Sequence, residues 1–251
     1  MWRQGRSTDI TRTALVFEGS LGVLALLLGW TLGFSPLRSL SLDAGWMHAA
    51  RGAGWGLLGT LPLLPLLLVL ERYPVGPLEP IRRFVEEVIV PLFQDVSPGK
   101  LAGISLAAGV GEELLFRGLL QDGLASWIGP PHGVWIGLAV ASVLFGLAHC
   151  VTWGYAVLAA LIGVYFGLLL LAANNLLAPL TAHAVYDFVA LVYLTRRTVI
   201  PGGQVHVFGQ RAFAWWCLLA EKCTRPRRVN DYRRTRHKKR RSDPGEGSDR
   251  P

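Results

Sequence analysis

Between residues 14 and 194 the chain is a succession of apolar stretches, most of them as long as a helix needs to cross a hydrocarbon core ~30 Å thick. In chain order they are Ala14–Phe34, Trp55–Leu70, Leu101–Leu120, Val134–Cys150, Tyr155–Ala172 and Leu176–Leu194. Such a segment must satisfy its backbone hydrogen bonds internally, and a helix does so. Composition agrees: 17% of the residues are charged, against about 25% in a soluble domain, and 51% are hydrophobic. The expected fold is therefore all-α, a polytopic membrane bundle of about six transmembrane helices with interfacial helices.

The material between the runs differs. Residues 1–13 are polar, carry Arg3, Arg6 and Arg12, and read as a cytoplasmic N-terminus. The first apolar run is long and ends without a clear cleavage site, so it reads as a retained span and not a signal peptide. Glu18 lies near its start, within reach of the interface. Pro62 and Pro65 fall inside the second run, where a kink is expected near Pro62. In 71–100, Ile81, Phe84, Val85, Val88 and Ile89 recur at helical spacing opposite charges, the pattern of an amphipathic interfacial helix.

Residues 14–197 thus form the expected transmembrane domain, with residues 198–221 as an interfacial segment around Trp215 and Trp216. Residues 222–251 read as a basic, disordered cytoplasmic tail, with eleven Lys or Arg from Lys222 to Arg241. Anionic lipid headgroups are the expected partner of the tail, and nucleic acid is not. The loop cations put both termini on the cytoplasmic side: three in the N-terminus and four in 71–100, against Arg38 and Arg51 opposite. Cys150, Cys217 and Cys223 have no paired or metal-like spacing.

Against this apolar background the third run is anomalous. It contains Glu112, Glu113 and Arg117, and a charge at the centre of a membrane helix costs roughly 2.5–3.5 kcal/mol. The other interior ionisable residues are His149 on the fourth run, and His183 and Asp187 on the sixth. Spacing separates the two glutamates. Glu113 is four residues from Arg117 and can pair with it along one helix. Glu112 has no cation at three or four residues in either direction, so its partners are sought across the bundle in His149, His183 and Asp187. A buried carboxylate beside an imidazole is suited to taking a proton from water. His149 would position that water or shuttle its proton, and His183 would donate to a developing oxyanion.

The three motifs are Glu112-Glu113-x-x-x-Arg117, Phe145-x-x-x-His149 and His183-x-x-x-Asp187, in that order within about Leu101–Thr195. In this the sequence resembles the CPBP intramembrane protease family, which includes CAAX prenyl endopeptidases and bacteriocin-processing or self-immunity proteins. The resemblance implies a glutamate-dependent endopeptidase acting on a membrane-associated peptide or protein. Glu112 and His149 would activate water, His183 with Asp187 would stabilise the oxyanion, and Glu113, Arg117 and Phe145 would support the site. CAAX endopeptidases resemble the pattern with Asn at the last position. An ionised Asp187 would repel an oxyanion, so it is either protonated or orients His183 through a ring N–H.

No metal is expected. The alternatives are a zinc metalloprotease using the same two histidines and two carboxylates, or a non-enzymatic scaffold, immunity or transport protein. No His-Glu-x-x-His helix is present to favour zinc.

Overall fold

The computed structural model describes residues 2–40, 45–73 and 75–196. The segments read above as interfacial (198–221) and as a basic tail (222–251), with Cys217 and Cys223, lie outside the described residues. Among the described residues the regular structure is entirely helical. Helix α1 spans Trp2–Thr31, α2 Trp46–Thr60 and α3 Leu63–Arg72. Two short helices follow, α4 (Glu79–Phe84) and α5 (Val90–Phe93), joined by a π turn at Val85–Ile89. Helix α6 (Pro98–Glu113) runs through a π segment, Leu114–Gln121, into α7 (Asp122–Ile128). Helices α8 (His132–Ala148), α9 (Trp153–Ala173) and α10 (Leu177–Arg196) complete the bundle.

Each of the six apolar stretches is helical over most of its length. Four of these helices are long and apolar enough to cross a membrane: Asp9–Thr31, Trp46–Arg72, Trp153–Ala173 and Leu177–Arg196. His132–Ala148 is a shorter apolar helix, and the third stretch is the one that changes from α to π immediately after Glu113. The polar N-terminal residues are not a separate extension but the first turns of α1.

Pro62 interrupts the second span as expected, dividing it into α2 and α3. The Leu58 carbonyl, which loses the N–H that residue 62 would otherwise supply, accepts instead from the Leu61 N–H at 3.1 Å. The amphipathic stretch is helical across 79–93, with Ile81 and Val90 buried. On its outer face Arg82 pairs with Glu86 at 2.8 Å. An exposed pair of this kind is worth only about 0.3–0.5 kcal/mol, so burial of the apolar face holds the segment in place.

Lipid tails give helices no hydrophobic reason to associate, so close van der Waals approach at small residues has to supply it. Helix α10 packs on both α2 and α6, and α1 packs on α6 and on the π segment. A Cβ at Gly109 would meet the Leu180 carbonyl and the Ala184 Cβ, both at 2.9 Å, which brings α10 against α6. A Cβ at Gly111 would collide with the Glu18 carbonyl, so α1 and α6 touch backbone to backbone.

The outer surface is apolar. Leu27, Leu57, Leu58, Leu147, Val157 and Leu161 are all exposed, a surface that suits lipid and not water. Trp30, Trp46, Trp127 and Trp135 are exposed too. Gly123 of α7 lies beside Phe34, and Gly118 beside Pro36, so the C-terminal end of α1 and the short helix α7 share one end of the bundle. The N-termini of α2 and α8 follow by short connections. The four tryptophans therefore mark one end, as an aromatic belt at a membrane–water boundary does.

Candidate active site

The change from α to π geometry at Leu114 sets the site. π segments inside α-helices recur at functional positions, because the wider turn re-aims the side chains around it. Glu113 is the last residue before the change and Arg117 lies within it. Both are fully buried, and Arg117 Nη1 donates to Glu113 Oε1 at 3.2 Å. The second guanidinium nitrogen, Nη2, donates to the Gly163 carbonyl of α9 at 2.9 Å. Three rings complete the enclosure of the cation: Phe145, Phe166 and Phe116 lie 4.5, 5.5 and 5.9 Å from its central carbon. The buried arginine is thus compensated by one carboxylate, one carbonyl and aromatic faces.

Glu113 does more than neutralise Arg117. Its Oε1 also accepts from His183 Nδ1 at 2.8 Å, tying α6 to α10. The His183 ring is clamped from the side by Phe166, stacked at 5.0 Å and 19°. With Nδ1 spent on Glu113, Nε2 is the nitrogen left for the site. It lies 3.5 Å from Asp187 Oδ2 and 4.0 Å from Glu112 Oε2. Glu113 thus stands at one ring nitrogen of His183 and Asp187 at the other.

Glu112 faces the second histidine. Its Oε2 is 3.6 Å from His149 Nε2, beyond direct hydrogen-bond range and compatible with one bridging water. His149 ends α8, and its Nδ1–H donates to the Phe145 carbonyl at 2.8 Å. That bond puts a hydrogen on Nδ1, so in the neutral ring Nε2 presents its lone pair toward Glu112. Phe145 supports both halves: its ring lies 4.5 Å from the His149 ring and the same distance from Arg117. The structure accordingly brings Glu112, Glu113, Arg117, Phe145, His149, His183 and Asp187 into one cluster contributed by α6, the π segment, α8 and α10.

Three contributors carry no motif signal. Phe166 and Gly163 come from α9, which holds no charged side chain and reads in sequence as a plain apolar span. Glu18 is the third. Expected at the interface, it is instead buried at 7% exposure against α6, with its carboxyl beside that of Glu112. The crossing at Gly111 draws it inward, and no periodicity in α1 announces that.

Among the described residues no group of three or more His, Cys, Asp or Glu is disposed to hold a metal ion.

With the geometry in place, the comparison with known families is direct. The model for type II CAAX prenyl endopeptidases, Rce1-like, matches residues 96–189. That segment is Rce1-like. The Rce1-like segment begins just before α6 and ends two residues past Asp187, so it contains every residue of the three motifs. It leaves out α1, and Glu18 with it. A segment similar to a protease family thus lies among helices long and apolar enough to cross a membrane. No curated protein and no solved structure matches the chain.

Proposed function

We propose that the chain is an intramembrane endopeptidase in which Glu112 and His149 activate water for attack on a peptide bond. The observation that carries the reading is the 3.6 Å approach of Glu112 Oε2 to His149 Nε2, two acceptors close enough for one water to bond both. Glu112 takes a proton from that water as its oxygen adds to the scissile carbonyl. The oxyanion forms on the side of His183, whose Nε2 carries a hydrogen for it when the ring is doubly protonated. Glu113 at one ring nitrogen and Asp187 at the other are the flanking carboxylates that such a ring needs. Glu112 then returns its proton to the leaving nitrogen as the C–N bond breaks, giving one acid and one amine.

The substrate is a membrane-associated peptide or protein, and the Rce1-like match favours a prenylated C-terminal peptide. Access fits that class. Tyr155, 6.3 Å ring to ring from His149, is also 6.3 Å from Phe84 of the amphipathic helix, so the site adjoins the surface segment. Cations cluster on the same side, with Arg72, Arg82, Arg83 and Lys100 in the connection that leads to α6. We place this side, and both termini, in the cytoplasm.

The test is cleavage by purified protein of matched peptides with and without a prenyl group, before and after treatment with a strong chelator. The reading expects cleavage of the prenylated peptide at an unchanged rate after chelation. Loss of cleavage with release of stoichiometric zinc would replace it with metal-assisted hydrolysis. No cleavage of any membrane-anchored peptide, with the protein folded, would favour a scaffold role.

A further inference from the structure

The proposed mechanism gives no role to one buried carboxyl group at the cluster, that of Glu18. Glu18 comes from α1, outside the Rce1-like segment, yet its backbone meets Gly111, the residue before Glu112, and its side chain is buried there, toward Glu112. Its Oε2 is buried without a hydrogen-bond partner, and so is Oε2 of Glu112. The groups facing Glu18 are Glu112 from α6, and Asp187 and His183 from α10. Arg117, in the π segment that also packs on α1, is committed to Glu113 and the Gly163 carbonyl.

Charge counting makes this arrangement hard to leave fully ionised. Four carboxyl groups (Glu18, Glu112, Glu113 and Asp187) converge on one arginine and two histidines. Two facing carboxylates repel strongly in an apolar interior, whereas a single proton turns the repulsion into an O–H···O⁻ bond of the short, strong kind.

We propose that Glu18 and Glu112 form a carboxyl pair holding one proton, with Glu18 as the positioning residue that fixes Glu112 for water activation. The proposal rests on the reading of Glu112 as the base. In the resting pair, Glu18–OH donates to the Glu112 carboxylate and holds it in one orientation. When Glu112 accepts the proton from water, both carboxyls are neutral. When it passes that proton to the leaving nitrogen, the singly protonated pair returns. The pair never carries two negative charges during turnover, which a membrane interior would penalise. Above the pH at which the pair loses its last proton, Glu112 loses its donor, so activity falls on the alkaline side.

The experiment compares wild type, Glu18→Gln and Glu112→Gln, reconstituted in the same lipid, by infrared spectroscopy and by pH–rate profile. Glutamine at 18 keeps the shape and a hydrogen-bond donor but cannot ionise. The pair predicts a protonated-carboxyl band in the wild type at neutral pH that is lost in Glu18→Gln. It also predicts cleavage within about tenfold of wild type in that variant, with the alkaline limb shifted up by about one pH unit or more. A band unaffected by Glu18→Gln, or a superimposable pH profile, overturns the pair and leaves Glu18 a buried helix contact. Glu112→Gln tests the underlying mechanism separately: wild-type cleavage there defeats the base assignment, while the infrared comparison on Glu18 still decides the pair.

Discussion

Oε1 of Glu113 lies 2.8 Å from Nδ1 of His183, a hydrogen bond between α6 and α10 buried at both ends. The same oxygen accepts from Arg117, so one atom joins the arginine of the π segment to the histidine proposed for the oxyanion. Removing that carboxylate leaves a buried guanidinium uncompensated and a buried imidazole unoriented. Breaking a buried pair on one side costs about 3–5 kcal/mol. Glu113→Gln is therefore expected to lower the detergent melting temperature markedly and to reduce turnover in whatever protein remains folded. A melting temperature equal to that of wild type would show that the pair does not hold the bundle.

Backbone contact at Gly111 makes a contrasting pair of variants informative. A Cβ there meets the Glu18 carbonyl, whereas a Cβ at Gly103 on the same helix meets nothing within 4 Å. Gly111→Ala should cost about 1–3 kcal/mol as α1 is pushed from α6, whereas Gly103→Ala should lie within about 0.5 kcal/mol of wild type. Thermal melts of the two variants in one detergent distinguish a close helix crossing from a loose one.

The stack of Phe166 on His183 predicts a milder effect. An aromatic pair is worth about 0.5–1.5 kcal/mol beyond the area it buries. Phe166→Leu should therefore leave a folded protein whose turnover falls about two- to tenfold, because the ring is held less firmly. Turnover measured beside a melting curve separates the lost clamp from lost stability.

Much of this architecture was legible in the sequence. Long apolar runs fix the helices because lipid leaves the backbone no other partner, and the break at Pro62 follows from a missing N–H. The Glu113–Arg117 contact follows from a four-residue spacing on one helix. What the sequence did not display depends on contacts between helices. No residue type marks the π segment after Glu113. The Glu113–His183 bond needs the rotation of α10 against α6, which is set by Gly109. Glu18 reads as an interfacial residue until the Gly111 crossing draws α1 inward. Phe166 and Gly163 are ordinary members of an apolar helix, and only their position against Arg117 and His183 gives them a role.

Orientation gives a further prediction. With the connection before α6 on the cytoplasmic side, a cysteine placed at Ser97 should react with a membrane-impermeant thiol reagent in inside-out vesicles and stay protected in intact cells. Labelling in intact cells would reverse the orientation proposed for the site. Cys150, Cys217 and Cys223 are replaced first, so that the introduced thiol is the one that reacts.

The most direct measurement of the central claim is the cleavage rate of Glu112→Gln, at normal abundance and with a wild-type melting curve, on a peptide that the wild type cuts. If Glu112 is the base that takes the proton from water, the rate falls about 10²–10⁴-fold, and the uncut peptide accumulates in cells that carry the variant. A rate near that of wild type would contradict the account.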